Sequence, residues 1–341
     1  MADYLTSHLK GLGAEVEVQQ IYPLRPNVIA HWKPMGKVKS RVWFAPHTDT
    51  VSVLGMSISP FDPVIRNNRL YGRGSSDTKG PMAAMLHALK EWLKSPDWQK
   101  SGVQVSFVGL MGEEAGNEGA IALARKGIEA DFVVAGEPTG LKVIYAHKGA
   151  CWLEMESHGR SCHSSIPQKG VNAIYPMAKA ITAIEEEVIP KLKKWPHKSL
   201  GTATMNVGTI QGGSKVNIVP DRCRVEVDIR TVPTFDERKA VEFVRRKVAK
   251  TTKDVKIKVQ RSSPPLDNDP NNLWIKKLAN AGRGKDVAPW FCDAAIFAQS
   301  GIPSVAFGPG SVAQAHTKDE FIDLHDLEQG AAAYLKFLRD L

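Results

Sequence analysis

Residues 104–126 read QVSFVGLMGEEAGNEGAIALARK, an apolar run followed by an acidic turn and a helical pattern. Residues 104–110 are typical of a strand buried on both faces, and residues 119–126 have the spacing of an amphipathic helix. Strands that alternate with helices favour an α/β domain whose sheet is covered on both faces. The same alternation continues on either side, with predicted strands at residues 41–45 (RVWFA) and 131–135 (DFVVA) and a predicted helix at residues 81–93.

The pattern changes after Lys148, where predicted strands alternate between apolar and polar residues. Such alternation is typical of a sheet with one buried and one exposed face. The predicted order is β-α-β-β-α-β, which is that of a ferredoxin-like split unit. Its elements are strand 150–157, helix 172–188, strands 202–211 and 221–231, helix 235–250 and strand 255–260.

The end of the chain returns to strand and helix patterns at residues 302–307 and 327–338. Between the two regions, residues 263–272 are rich in Pro, Asn and Asp, which favours a hinge or linker. A domain inserted into another explains this order. The predicted first domain is discontinuous and comprises residues 1–147 and 266–341, and the predicted inserted domain comprises residues 148–265.

Composition narrows the class of protein. The chain has 341 residues, of which 43% are hydrophobic and 24% charged, which excludes a disordered tail, a collagen-like fibre and a small disulfide scaffold. No apolar stretch approaches the roughly 20 residues of a membrane span, and the first ten residues, MADYLTSHLK, lack the order of a secretory signal. The four cysteines form no C-x-x-C pair, so we expect a reducing, cytoplasmic location.

Acidic residues and histidines stand at five places, most of them directly after predicted strands. Ligand sites of open α/β sheets form at the carboxyl ends of strands, so we expect one common site. Taken singly, the clusters are also typical of a solvated histidine, a helix-capping aspartate or an exposed acidic turn. The clusters are HTDTV (47–51), GRGSSDTKG (72–80), GEEAGNEGA (112–120), AGEPTG (135–140) and QAHTKDE (314–320).

Two histidines and three carboxylates in these clusters form a candidate set of metal ligands. They are too many for one tetrahedral ion, but they fit two ions that share one bridging carboxylate. Two ions about 3.5–4 Å apart bind a carbonyl oxygen and activate a water. Glu113 would be the general base, and Asp49 would hold the second ring nitrogen of His47. The predicted reaction is metal-assisted amide hydrolysis, and the candidate ligands are His47, Asp77, Glu114, Glu137 and His316.

The five motifs together resemble those of the dinuclear-zinc amidohydrolases, which include acetylornithine deacetylase, succinyl-diaminopimelate desuccinylase, aminoacylase and glutamate carboxypeptidase. The motifs H-x-D, G-R-G-x-x-D-x-K-G, G-E-E-x-G, G-E-P-T and A-H-T-x-D-E all occur here in order. The resemblance implies a zinc-peptidase-like catalytic domain that holds two Zn²⁺ ions, with Co²⁺ as a substitute. It implies that His47 and Glu137 bind one ion, that Glu114 and His316 bind the other, and that Asp77 bridges them.

The same resemblance implies that residues 148–265 are a lid that also forms a homodimer. His163, in GRSCHSSIPQKGVNAI, would reach an active site, usually that of the partner subunit, and stabilise the tetrahedral oxyanion. Asn217 and Arg230 match lid positions that bind the substrate carboxylate, for which a guanidinium has the right planar geometry. Lys148 matches a basic residue near the substrate. For Arg230, a structural ion pair on a strand is the alternative.

Within the family, HTDTV, AHKG and H-S-S-x-P-x-x-G-V-N-A-I are most similar to acetylornithine deacetylase. The resemblance therefore implies a zinc-dependent deacylase of N-acyl amino acids, with N-acetylornithine as the first substrate to test and a role in arginine biosynthesis. The alternatives with the same metal site are a dipeptidase, a carboxypeptidase and a succinyl-diaminopimelate desuccinylase.

The net charge of +9 leaves one alternative of another class, a nucleic-acid-binding protein with a decayed enzyme site. The excess is confined to residues 148–265, which have 22 Lys and Arg against 12 Asp and Glu, whereas the remainder has 23 against 24. A basic lid over an acidic metal site favours a small substrate that carries a carboxylate. Aromatic residues, at 7%, do not alternate with basic ones on the predicted strands. We therefore expect no nucleic acid and no membrane as partner.

Overall fold

The computed structural model describes residues 1–341. None of its helices combines the length and the apolar composition that a bilayer crossing requires. The strands are β1 (Glu15–Tyr22), β2 (Arg25–Trp32), β3 (Ser40–Pro46), β4 (Val64–Arg66), β5 (Arg69–Tyr71), β6 (Val103–Gly109), β7 (Phe132–Gly136), β8 (Val143–His147), β9 (Gly149–His158), β10 (Thr204–Gly212), β11 (Arg222–Thr231), β12 (Val255–Ser263), β13 (Leu266–Asp267), β14 (Lys285–Ala288), β15 (Ser304–Phe307) and β16 (Phe321–Asp323). The α-helices are α1 (Ala2–Gly11), α2 (Lys79–Leu93), α3 (Glu118–Lys126), α4 (Ile174–Ala183), α5 (Glu237–Val248), α6 (Leu273–Ala281), α7 (Ala294–Gln299) and α8 (Leu324–Arg339).

The chain divides into two compact units. The predicted boundaries, 147/148 and 265/266, are each one residue from a division between these units, whereas residues 288–291, predicted in the first domain, belong to unit 2. The domain assignment, including a role of residues 148–265 as a lid and dimerisation domain, stays a prediction. Unit 1 comprises Met1–Ala146, Asp267–Val287 and Cys292–Leu341, and unit 2 comprises His147–Leu266 and Ala288–Phe291.

A nine-stranded mixed sheet lies at the centre of unit 1. Its order is β1-β2-β6-β3-β7-β15-β8-β13, with β14 paired to β8. The four central strands β6, β3, β7 and β15 are parallel, whereas the neighbours on either side pair antiparallel. The carboxyl ends of the four parallel strands therefore meet at one edge of the sheet, which is where α/β proteins bind ligands.

Both faces of this sheet are buried. Along β3, Val42 and Phe44 belong to a core shared with α1, α2, α6 and α8, whereas Trp43 and Ala45 belong to a second core shared with α3 and α7. Successive side chains of a strand point to opposite faces, so a strand between two helical layers is apolar at every position. The predicted α/β domain with a sheet covered on both faces is confirmed.

Unit 2 contains an antiparallel sheet of order β10-β11-β9-β12. In chain order, β9, α4, β10, β11, α5 and β12 form the predicted β-α-β-β-α-β unit, which is confirmed. Apolar residues such as Leu153 and Val225 are buried on the side where α4 and α5 pack, and they alternate with polar residues. A π-helical turn, Ile184–Val188, extends α4.

Several segments form elements that the sequence analysis does not predict. The first forty residues, for which no element was predicted, form α1 and the antiparallel pair β1 and β2. Strand β1 (EVEVQQIY) is an edge strand that is mostly exposed, so it lacks the apolar signal of the central strands. Within the predicted hinge, Leu266–Asp267 is a strand, and the next residue, Asn268, donates from Nδ2 to the carbonyl of Ser304 at 2.6 Å.

A small sheet of order β16-β5-β4 completes unit 1. Phe321 of β16 pairs with Tyr71 of β5 in an antiparallel register. This pairing brings the loop before β16 next to the loop after β5, and each of these loops carries one of the candidate ligands.

Candidate metal centre

The five candidate ligands and Glu113 lie in unit 1. His47 directly follows β3 and forms an isolated parallel bridge with Leu110, which follows β6. Glu113 and Glu114 stand in the turn after β6, and Glu137 directly follows β7. The structure therefore places these groups after neighbouring parallel strands, as the argument from the strand ends predicts.

Asp77 lies between the two candidate histidines. Its Oδ1 is 3.1 Å from Nε2 of His47, and its Oδ2 is 3.4 Å from Nε2 of His316. The same nitrogen of His316 is 3.1 Å from Oε1 of Glu114. Ligand atoms of His47, Asp77 and Glu114 all lie within 4.8 Å of one another. The two oxygens of one carboxylate thus face two different imidazoles, as expected of a carboxylate that bridges two ions.

Asp49 contacts the imidazole of His47 in two ways. The ring nitrogen Nδ1 is 3.0 Å from the backbone carbonyl oxygen of Asp49 and 3.5 Å from its carboxylate Oδ1. Since a carbonyl oxygen only accepts, Nδ1 of His47 is the donor, and Nε2 is directed to Asp77 as a metal ligand would be. The orienting role of Asp49 stays a prediction, and its nearer contact is through the backbone.

The carboxylate of Asp49 also fixes the acidic turn. It accepts hydrogen bonds from the backbone N–H groups of Gly112 at 3.0 Å, Glu113 at 3.2 Å and Glu114 at 3.1 Å. Gly112 has φ +77°, a left-handed backbone conformation that favours glycine at this position of the turn. Asp49 therefore determines where the candidate base and the candidate ligand beside it are placed.

Burial governs the ionisation of two of the glutamates. It raises the pKa of Glu113 well above the ordinary value, an effect that His47 opposes and the neighbouring Asp293 reinforces. Burial likewise raises the pKa of Glu137 well above the ordinary value, again opposed by His47.

The two histidines favour the charged form. Hydrogen bonds to Asp77 and Glu114 raise the pKa of His316 to about 10. Burial lowers the pKa of His47, but hydrogen bonds to Asp49 and Asp77 outweigh it and raise that pKa well above the ordinary value. Several carboxyl groups thus lie in the same buried region, where the charged form of each requires a positive charge nearby. Divalent cations fit this set, since its oxygen and imidazole nitrogen donors are the ligands they take.

His163 and Asn217 lie next to each other in unit 2. His163 forms an isolated antiparallel bridge with Ile218, and the backbone carbonyl of Asn217 accepts from the N–H of Ser164 at 3.0 Å. The ring nitrogen Nδ1 of His163 is 2.7 Å from Oγ of Ser165. The structure therefore brings these two candidate residues onto adjoining segments.

Arg230 has an ion pair on its own strand. Its Nε donates to Oδ2 of Asp228 at 2.9 Å, and both side chains are 33% exposed. Arg230 therefore forms the ion pair on its strand that the sequence analysis gives as the alternative to substrate binding. Its side chain is still partly exposed to solvent. Lys148 donates from Nζ to the carbonyl of Thr202 at 2.7 Å.

Sequence reasoning missed two groups beside the centre. Asp293 accepts from Nδ2 of Asn117 at 2.9 Å, both residues are buried, and the charge of Asp293 acts on Glu113. No local motif marks Asp293, which precedes α7 and meets the turn after β6 only through folding. Glu320 belongs to the QAHTKDE cluster, so the sequence indicates that it lies near the site but does not indicate what it contacts.

Comparison with known proteins gives a family match over most of the chain. Residues 43–340 match Peptidase_M20, described as "Peptidase family M20/M25/M40". A peptidase M20 domain-containing protein of Schizosaccharomyces pombe is 32% identical over 349 residues, which cover 99% of this chain and 79% of that protein. An acetylornithine deacetylase of Buchnera aphidicola subsp. Schizaphis graminum is 30% identical over 338 residues, which cover 95% of this chain and 86% of that protein.

Solved structures share the fold. A tripeptidase of Staphylococcus aureus aligns with a TM-score of 0.81 at 23% identity, over 99% of this chain and 91% of that one. An M20 family metallo-carboxypeptidase of Sulfolobus solfataricus aligns with a TM-score of 0.80 at 21% identity, over 99% of this chain and 93% of that one. At these identities the likeness concerns the architecture.

Proposed function

Because the chain belongs to peptidase family M20/M25/M40, we propose that it is a metal-dependent amidohydrolase that removes the acyl group from N-acyl amino acids. Family membership confirms the resemblance carried by the five motifs and makes the chain a hydrolase. The deacylase assignment draws on relatives named acetylornithine deacetylase, such as one that is 30% identical, and on the motif details. N-acetylornithine is accordingly the first substrate, and arginine biosynthesis the proposed context.

The arrangement around Asp77 is the observation that carries this proposal. His47 and His316 approach its two oxygens at 3.1 and 3.4 Å, which suits one ion on each side of a shared carboxylate. We assign His47 and Glu137 to one ion, Glu114 and His316 to the other, and Asp77 to both. Imidazole and carboxylate donors suit Zn²⁺, and Co²⁺ takes the same donors.

Glu113 is the proposed general base and acid. When bound, two divalent ions would supply Lewis-acid chemistry: they would polarise the substrate carbonyl and lower the pKa of a bound water. Glu113 takes the proton of the attacking water and returns it to the leaving nitrogen as the C–N bond breaks, so a carboxylic acid and an amine are released. Burial raises the pKa of Glu113, and bound divalent cations would oppose that rise and favour the carboxylate form that acts as the base. Asp49 positions this group through the backbone.

Residues of unit 2 complete the proposal. His163 stabilises the tetrahedral oxyanion, in its own chain or in the partner subunit of a homodimer. Asn217 and Arg230 bind the substrate carboxylate, and Lys148 lies near the substrate. The basic charge of residues 148–265 supports a substrate of this kind. None of the four cysteines is in a disulfide bond, which supports a reducing compartment such as the cytoplasm.

A substrate panel tests the proposal. The purified chain, supplied with Zn²⁺ or Co²⁺, is given N-acetylornithine, N-succinyl-diaminopimelate, N-acyl-glutamates and dipeptides, and amine release is measured. We expect N-acetylornithine to be hydrolysed with the highest kcat/KM, and metal-free protein to be inactive. Preferential cleavage of dipeptides would favour the peptidase alternative, and hydrolysis of none of these compounds would contradict the proposal.

A further inference from the structure

Glu320 is a fully buried carboxylate that the proposed chemistry does not use. Its Oε2 accepts from Nη1 of Arg73 at 2.8 Å and from the backbone N–H of Gly74 at 2.9 Å. Its Oε1 accepts from the backbone N–H groups of Ser76 at 2.8 Å and Asp77 at 2.9 Å. One carboxylate thus gathers four hydrogen bonds from the loop that carries the proposed bridging ligand.

The two loops that meet at Glu320 carry two of the proposed ligands. Strand β5 leads into the loop that contains Asp77, and the loop that contains His316 leads into β16. The antiparallel pair of β16 and β5 joins them, and the N–H of Gly72 donates to the backbone carbonyl of Glu320 at 3.0 Å. Glu320 therefore ties the position of Asp77 to that of His316.

The conformation of the Asp77 loop depends on this acceptor. Several backbone N–H groups of one loop converge on the carboxylate, a concave arrangement that needs an anion at its centre. The side chain of Glu320 is 0% exposed and that of Arg73 is 4% exposed. Without the carboxylate, the convergent N–H groups would lose their acceptor and a buried guanidinium its counter-charge, both of which are costly.

Groups that hold metal ligands in place typically change metal affinity or activity by about 10- to 100-fold when they are mutated. We propose that Glu320 is a positioning residue, which holds the carboxylate of Asp77 at 3.1 Å from Nε2 of His47 and 3.4 Å from Nε2 of His316, where these groups would hold metal ions. The inference rests on the proposed function only in taking Asp77 as a ligand, and it does not depend on the substrate.

The direct test is Glu320→Gln, which keeps the shape of the side chain. Its NH₂ group is a donor and cannot accept from the N–H groups that face one of the two oxygens. We expect the metal-free variant to fold, with a wild-type circular dichroism spectrum and faster hydrogen exchange over residues 72–78. We expect its affinity for Co²⁺, titrated by visible absorption, to be weaker by about 10- to 100-fold, with an altered absorption band.

Two further variants separate positioning from a general loss of stability. Asn268→Ala removes the hydrogen bond to Ser304 elsewhere in unit 1, and we expect a lower Tm with unchanged Co²⁺ affinity. Glu320→Asp keeps the charge and both oxygens, and we expect it to recover part of the affinity lost in Glu320→Gln. If Glu320→Gln does not fold, Glu320→Asp still tests the inference. We expect its Co²⁺ affinity to be weaker than that of the wild type and its hydrogen exchange over residues 72–78 to be faster.

The outcomes distinguish this inference from the proposed function. The positioning role would be overturned if a folded Glu320 variant had only a lower Tm, with the Co²⁺ affinity and the absorption of the wild type. Weaker Co²⁺ binding in that variant, together with a wild-type chain that hydrolyses none of the panel, would support positioning and overturn the proposed function. A wild-type chain that binds no Co²⁺ would overturn both.

Discussion

The carboxylate of Asp49 holds the backbone N–H of Glu113 at 3.2 Å. The same carboxylate accepts from the N–H of Glu114 at 3.1 Å, and the backbone carbonyl of Asp49 accepts from His47 at 3.0 Å. Asp49, in the loop after β3, therefore positions a proposed ligand on its own loop and the proposed base on the turn after β6. Base and ligands are placed together, so their roles can be separated only by variants that change one side chain at a time.

Glu113→Gln tests the proposed base. We expect kcat to fall by about 10²- to 10⁴-fold, which is the range for loss of a general acid–base group. Bound metal should stay at the wild-type level, because Glu113 is not in the proposed ligand set. Elemental analysis and turnover of the same sample check both points. Loss of metal in this variant would place Glu113 among the ligands instead.

His163→Ala tests the group proposed to stabilise the oxyanion. We expect kcat to fall by about 10²- to 10³-fold, as for loss of one oxyanion donor, with folding intact. If His163 acts across a homodimer, mixing this variant with Glu113→Gln creates one site with both groups intact. Activity should then reappear in the mixture. A verified mixed dimer without any recovered activity would show that His163 acts within its own chain.

Arg230→Met tests recognition of the substrate carboxylate. A charge-assisted hydrogen bond contributes about 1.5–3 kcal/mol, so we expect KM to rise by about 10- to 100-fold for a substrate with a free carboxylate. The corresponding α-carboxamide should be little affected. Arg222→Met, on the same strand and paired with Glu156, is the matched control. Equal effects on both substrates would indicate that Arg230 serves only its pair with Asp228.

His147 predicts an acid-sensitive component of stability. Burial lowers its pKa to about 4, whereas an unfolded histidine has a pKa of about 6.5. Between these values the unfolded chain binds the extra proton, so stability is lost as the pH falls below 6.5. The difference between pH 7.5 and pH 5 is about 2 kcal/mol from this group. Urea unfolding of the metal-free chain and of His147→Gln checks it, and equal pH dependence in both would contradict it.

The central sheet and the clustering of the site were open to prediction from sequence for one physical reason. Strands β3, β6 and β7 are buried on both faces, so each is a mostly apolar run that is easily recognised, even though β6 includes Gln104 and Ser106. Once the strands are known to be parallel neighbours, His47, Glu113 and Glu137 must follow them at one edge. The apolar pattern therefore locates the polar residues that follow it.

Contacts between segments that are far apart in the chain have no comparable pattern in the sequence. Asp293 reaches Asn117 across 176 positions of the chain, and Glu320 reaches Gly74 across 246. A side chain that accepts hydrogen bonds from a remote segment of the chain has no local spacing that reveals its partner. Strand β1 could not be predicted for another reason: it is an exposed edge strand, and such a strand has little apolar periodicity.

A metal titration of activity tests whether the chain is a hydrolase with a dinuclear metal centre. The chain is freed of metal by a chelator, and the hydrolysis of N-acetylornithine is followed as Zn²⁺ or Co²⁺ is added. We expect no turnover without metal and full turnover at about two bound ions per chain, the number that a dinuclear centre holds. Undiminished amide hydrolysis by the metal-free protein would contradict this expectation.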